Sequence, residues 1–313
     1  LQADSVIDEE KLRSLSLAQN SALLAMPLFH VNGMHAVLFS AFRTQRKIVS
    51  MYKWDPALAA DLIDRENIAQ VVGTPAMTGD LVDYSHRSGR TMASLQSAGG
   101  GGAPRATSQV KGIKSNMKNA VPFTGWGMTE TNSIGTGIYG QDYLDHPASS
   151  GRCSAILEIA TIDSEGCFLP RGERGELVIR GTSIIHGYWN RPDANAESYI
   201  DGWFRTGDVA YVDEEGYLYV VDRIKQLIIR GGENIGCGEV EEALLEVPQV
   251  VEACVYGLPD ERLGETVAAT LYIGSDLTET QVTEFLASRP VSYTHLTLPT
   301  TIPSCRTRWS PDH

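Results

Sequence analysis

Hydrophobic and polar positions follow two rhythms along this chain, and the switch between them divides it. From about residue 16 to 120 apolar runs alternate with amphipathic ones, the pattern of helices layered on strands. "DPALAADLIDRENI" places Leu58, Leu62 and Ile63 for one face of a helix opened by Asp55 and Pro56. "AQVVGTPAM" predicts a buried strand ending in a Gly-Thr-Pro turn. From about 153 to 222 the period shortens to that of strands, in "ILEIATIDSEG", "GELVIRG" and "AYVDEEGYLYVVD", with Glu-Gly pairs marking hairpins. This is a β subdomain. Beyond Asp222 a smaller unit follows: strands in "QLIIR", "VVEACVYG" and "ETVAATLYI", and a helix in "GEVEEALLEV" stopped at Pro248. A second helix, in "TETQVTEFLASR", is capped by Thr278 with Gln281 completing a capping box. The fold class is α/β, with a large domain over 1–223, its β subdomain over about 153–222, and a small α+β domain over 224–289.

Residues 290–313 fit neither rhythm. They contain no Gly, Ala, Glu or Lys, yet carry four of the 14 prolines and five threonines. "VSYTHLTLPT" resembles translated sequencing-adapter DNA, so a non-native tail is expected there; a solvated native tail is the alternative reading.

Composition narrows the function classes. With 42% hydrophobic and 21% charged residues in 313, the chain is globular and long enough for about two domains. Its net charge of -13 argues against nucleic acid or an anionic membrane as the main partner. A small anion remains possible, because a glycine loop binds phosphate through backbone N–H groups. The five cysteines are scattered, without a CxxC or paired His spacing, which points to reduced thiols in a cytoplasmic protein. The apolar stretch from Ser21 to Phe42 is broken by Pro27, His30, Asn32, Gly33 and His35, so no membrane span is expected.

Among motifs, "GTGIYG" is a literal GxGxxG, but neither a preceding strand nor a following helix supports dinucleotide binding there. No P-loop and no GxSxG elbow occur. The informative signal is a series in fixed order: "PLFHVNGMH", "SAGGGGAP", "PFTGWGMTE", "GELVIRG", "GYWNRPDAN", "GWFRTGD" and "DRIKQLIIRGGENI". Each alone reads equally well as a turn, a packed aromatic or an exposed loop.

Together they resemble the adenylate-forming acyl-CoA synthetases, a family that also includes luciferases and the adenylation domains of peptide synthetases. The resemblance runs from about Pro27 to Arg289. It implies the C-terminal part of a large α/β plus β-barrel domain followed by an incomplete small domain. The implied activity is an ATP-dependent carboxylate–CoA ligase that forms an acyl-adenylate and then a thioester, with Mg²⁺ as cofactor and coenzyme A as co-substrate. By the same resemblance Trp126 stacks on adenine and Gly101, Gly102 and Ala103 give the base a close backbone. Thr129 donates to the α-phosphate and Glu130 helps hold Mg²⁺. Asp208 accepts both ribose hydroxyls, with a turn aspartate as the alternative, and Arg223 is the second ribose or phosphate contact. Lys225 is the hinge, and Gly231, Gly232, Glu233 and Asn234 form the CoA-side loop, which is equally a strand-to-helix turn. His30 resembles part of the acyl-pocket wall, the alternative being a packed core histidine. Asn32, Thr74 and Met77 are assigned to the same pocket, with Gly99 and Gly100 as a floor that leaves room for an apolar chain.

Two expected pieces do not appear: a Ser/Thr/Gly-rich loop ending in Lys-Gly before "PLFHVNG", and a Gly-Lys after "FLASR". Gly238 stands where many members have proline. The expectation is therefore a fragment that binds nucleotide with little or no turnover. The acid is expected to be a medium- or long-chain fatty acid or another hydrophobic carboxylate. A luciferase-like enzyme, an adenylation domain and a non-catalytic nucleotide-binding remnant are the alternatives.

Overall fold

The computed structural model describes residues 21–102, 105, 107–224, 227–230 and 233–287. Ala103, Lys225, Gly231, Gly232 and the 290–313 tail lie outside the described residues.

Five short strands form a parallel layer, in the spatial order Ile48–Ser50, Ser21–Leu24, Ile68–Val72, Ser97–Gly100, Val121–Thr124. Helices Pro56–Glu66, Pro75–Ser88 and Thr107–Asn116 connect them. Each of the first two starts where Pro fixes φ one residue after a side-chain cap: Asp55 accepts from Leu58 N at 2.8 Å, and Thr74 from Met77 N at 3.3 Å. The expected Gly-Thr-Pro turn is thus a helix start. In Pro56–Glu66 the buried face is Ala59, Ala60, Leu62 and Ile63, whereas Leu58, expected on that face, is 47% exposed. These side chains join Leu23, Ile68, Val71, Leu81, Leu95 and Ile113 in the largest core.

The ladder continues antiparallel through Thr136–Tyr139, Gly151–Cys153, Tyr217–Arg223, Trp203–Val212, Gly175–Gly181 and Leu157–Ile162. "GTGIYG" is consequently a strand inside the sheet, not a phosphate loop. A second, four-stranded antiparallel sheet, ordered Glu233–Gly236, Leu227–Arg230, Gly264–Ile273, Val250–Asp260, packs on helices Cys237–Leu245 and Glu279–Ala287 with its own core around Val240, Leu244, Val267 and Leu286. The capping box predicted at its last helix is present: Thr278 N donates to Gln281 Oε1 at 2.9 Å and Gln281 N to Thr278 Oγ1 at 3.3 Å. Among the described residues no helix is long and apolar enough to cross a membrane.

Candidate active site

A break in strand register aims the central carboxylate. Opposite Gly175–Gly181, Arg205 pairs with Val178 but Val209 with Glu176, so the strand carries a bulge, and Gly207 at φ 72° supplies the left-handed conformation within it. Asp208 is thereby turned inward, only 3% exposed, in cross-strand register with Arg223. Its Oδ2 accepts from the Trp126 indole Nε1 at 2.7 Å and its Oδ1 pairs with Arg223 Nε at 3.1 Å. Burial pushes the Asp208 carboxyl above its ordinary range, and these two donors only partly offset it. Gly102, Trp126, Asp208 and Arg223 all line one cavity of about 500 Å³, together with Arg105 and Tyr143. That size lies within the roughly 300–1,000 Å³ usual for small-molecule sites.

The glycines around this cavity divide into two kinds. A Cβ on Gly99 would lie 2.0 Å from Phe123 O, on Gly100 2.1 Å from Gly73 O, and on Gly101 2.5 Å from Gly125 O. The missing side chains at Gly99 and Gly100 therefore serve close strand approach and do not open space for an acyl chain. Gly102, at φ 95°, faces the cavity, and its nearest neighbour would be the movable Asn32 Nδ2 at 3.2 Å. In the aromatic motif, Gly125 meets Thr136 O and Gly127 meets the Ser133 backbone. Gly135 lies against the Trp126 ring, 2.7 Å from Cε3 for an added Cβ. The first glycine of the literal GxGxxG thus seats the tryptophan.

Thr129 and Glu130 follow Trp126 in a single 3₁₀ turn, Thr129–Thr131, outside the lining of the cavity. Glu130 Oε1 accepts from Tyr188 OH at 2.8 Å, and its carbonyl accepts from Ile185 N at 2.9 Å, which ties "GWGMTE" to "GYWN". Burial first, then the Glu130 carboxylate, pushes the Tyr188 phenol up to about 12. Asn132 and Ser133 both have positive φ, 55° and 66°. They are held from two sides: Asn132 Nδ2 donates to Ser183 O at 2.8 Å, and Ser133 Oγ to Asn32 Oδ1 at 3.1 Å. Asn32 opens the π-helical segment Asn32–Phe39, where His35 Nδ1 also lies 3.3 Å from Asn132 O. His30, exposed, receives Asn32 N at 3.3 Å on Nδ1. Thr74 is occupied as a helix cap and Met77 packs over Gly73; neither lines the cavity.

The small unit reaches the same cavity through helix Cys237–Leu245, whose Glu242 lines it. This helix has Gly236 at its N-cap and no side-chain cap of its own. Asp222 supplies one from the large sheet, its Oδ2 accepting from Gly238 N at 2.9 Å. Sequence reading missed Arg105, Tyr188 and Asp222. Tyr188 and Asp222 sit inside quoted motifs, and Arg105 directly follows one.

The donor set fits a nucleotide. A carboxylate has about four acceptor sites, so Asp208 retains room for a diol after Trp126 and Arg223 are served. Glu130 keeps a second oxygen, which suits Mg²⁺, a cation that relies on one or two carboxylates plus phosphates and water. Among the described residues no group of three or more His, Cys, Asp or Glu could hold a metal by itself.

Comparison with known proteins shows the family. The family model described as AMP-binding enzyme matches residues 3–189, and that for the AMP-binding enzyme C-terminal domain matches 239–297. A long-chain-fatty-acid–CoA ligase of Mycobacterium tuberculosis is 34% identical over 272 residues, covering 87% of this chain and 53% of the ligase. The chain thus spans about half the length of that relative. The structure of o-succinylbenzoate CoA synthetase from Bacillus subtilis with its acyl-adenylate intermediate superposes with a TM-score of 0.81 at 29% identity, covering 94% of this chain and 61% of that one. The same enzyme with ATP and a magnesium ion gives 0.80 at 29% identity, with coverages of 94% and 62%.

Proposed function

Because the chain belongs to the AMP-binding enzyme family, we propose that it is the nucleotide-holding part of an ATP-dependent carboxylate–CoA ligase. Such an enzyme joins a carboxylate to the α-phosphate of ATP with loss of pyrophosphate, then passes the acyl group to the thiol of coenzyme A. The observation that carries this reading is the convergence of three motifs on one cavity, with Trp126 and Arg223 flanking the buried Asp208 carboxylate at 2.7 and 3.1 Å.

In this reading Asp208 accepts the ribose hydroxyls, Arg223 adds a cation beside them, and Trp126 with Gly102 and Ala103 bounds the base. Thr129 and Glu130, just past Trp126, serve the α-phosphate and the metal; magnesium bound with the phosphates would neutralise charge there. His30 and Asn32 belong to the acyl side, where Leu28 and Phe29, 44% and 92% exposed, offer apolar surface. That surface supports a hydrophobic carboxylate, a medium- or long-chain fatty acid first, as does the fatty-acid ligase among the relatives. We place the boundary between the two domains near 223/224, with Lys225 as hinge and Gly231, Gly232, Glu233 and Asn234 on the CoA side. None of the four cysteines among the described residues forms a disulfide, which supports a reducing, cytoplasmic setting.

The 313-residue chain carries neither of the two phosphate-handling lysine motifs that the family resemblance implies. Assayed alone, it is expected to bind AMP without releasing pyrophosphate. The test is AMP binding alongside pyrophosphate release with ATP and a panel of acids. Strong acid-dependent release would overturn the lack of turnover, and absence of any nucleotide binding would overturn the reading itself.

A further inference from the structure

Among the described residues, Arg105 is a buried cation with donors that no acceptor serves. It is 8% exposed; Nη1 donates to Thr78 Oγ1 at 2.6 Å, and the Tyr143 hydroxyl is a further side-chain neighbour of the guanidinium. Nε and Nη2 are buried without a hydrogen-bond partner, and among the described residues no carboxylate pairs with it. A buried guanidinium with two idle donors is strongly disfavoured unless something arrives to accept from them. Arg105 lines the same cavity as Trp126 and Asp208, at the part shared with Thr124 and Tyr143, and burial pulls its guanidinium below the usual range.

The order of residues along one segment points to the part of a nucleotide that would meet it. Trp126 bounds the base and its indole is bonded to Asp208, so base and ribose meet beside Trp126. Thr129 and Glu130 lie C-terminal to Trp126 and take the phosphate side. Thr124 lies N-terminal to it and lines the same cavity, next to Tyr143 and Arg105, which leaves them for the far edge of the base.

We propose that Arg105 is a base-reading residue, its free Nε and Nη2 donating to a ring-nitrogen acceptor of the bound purine. This rests on the nucleotide reading above and adds to it a specificity determinant. The rivals are protein acceptors: the Tyr143 hydroxyl beside the guanidinium, and Gln109 Oε1, four residues on, which is also buried without a partner.

The test measures Kd for AMP and for its 1-deaza, 3-deaza and 7-deaza analogues, each lacking one acceptor, on the 313-residue chain and on Arg105→Met. The wild-type chain should lose about tenfold or more for one analogue, and Arg105→Met should bind that analogue and AMP equally. Arg105→Lys, which keeps the charge but not the fork of donors, should lose the discrimination too, and the wild-type series stands alone should Arg105→Met not fold. Equal wild-type affinity for AMP and all three analogues would overturn the role of Arg105 and leave the nucleotide site intact. So would a Met variant that is less stable yet discriminates as wild type does, the result expected if Tyr143 or Gln109 is the partner. No AMP binding by a folded wild-type chain would remove the nucleotide reading and this one with it.

Discussion

Replacing Asp208 by asparagine separates binding from stability. The wild-type carboxylate holds Trp126 Nε1 at 2.7 Å and Arg223 Nε at 3.1 Å, and retains acceptor sites for the ribose. Asparagine offers one oxygen, which the indole occupies, and turns an NH₂ toward the remaining partners. The ribose then loses at least one bond to a charged acceptor, about 1.5–3 kcal/mol, or roughly 10- to 150-fold in Kd. Stability should move the other way or not at all. Burial raises the Asp208 pKa in the folded chain above its ordinary 3.8, so the folded state holds this proton more tightly than the unfolded one. The contribution of Asp208 to stability is therefore fully present below 3.8 and is lost as pH rises through the raised value; above that value the ionised group is a burden that asparagine removes. Arg223, its side chain 62% exposed, can turn to water. Calorimetric titration with AMP and thermal unfolding at pH 7 measure the two effects. An unchanged Kd, or a large fall in Tm together with lost binding, would show that Asp208 is a structural turn aspartate.

Three further outcomes follow from single contacts. Tyr188→Phe removes the donor to Glu130 and should lower stability by about 1 kcal/mol in urea unfolding, with no change expected if water serves Glu130 equally well. Asp222→Ala removes the cap that the large sheet lends to helix Cys237–Leu245; at about 0.5–2 kcal/mol for a lost cap, amide exchange in its first turn should rise roughly 2- to 30-fold, and unchanged exchange would refute the role. Gly135→Ala would put a methyl 2.2 Å from Trp126 O and 2.7 Å from Cε3, costing about 1–3 kcal/mol and shifting tryptophan emission; wild-type stability and emission would show that the ring is not seated there.

What the sequence made legible was local chemistry. Asp55 with Pro56 marks a helix start, the Glu-Gly pairs mark hairpins, and the Thr278–Gln281 spacing marks a capping box, because each depends on neighbours in the chain; Thr74-Pro75, expected as a turn, is a helix start of the same kind. The glycines misled. Their presence in "SAGGGGAP" and "GWGMTE" signals a close approach, but only packing shows what approaches: at Gly99, Gly100 and Gly125 it is a neighbouring backbone, and at Gly102 it is the cavity. Arg105, Tyr188 and Asp222 were illegible for a related reason, since their partners Thr78, Glu130 and Gly238 lie 27, 58 and 16 residues away. Asp208 was readable as a ribose acceptor only through the motif around it; the bulge that turns it inward is a property of the paired strands.

The most direct measurement is photolabelling of the 313-residue chain with 8-azido-AMP, with the modified peptides mapped by mass spectrometry. Labelling in the segments that carry Thr124–Gly127, Tyr143 or Arg105, suppressed by excess AMP and by Asp208→Asn, is the expected result. Labelling elsewhere, or labelling that excess AMP does not suppress, would contradict the assignment of this cavity to a nucleotide.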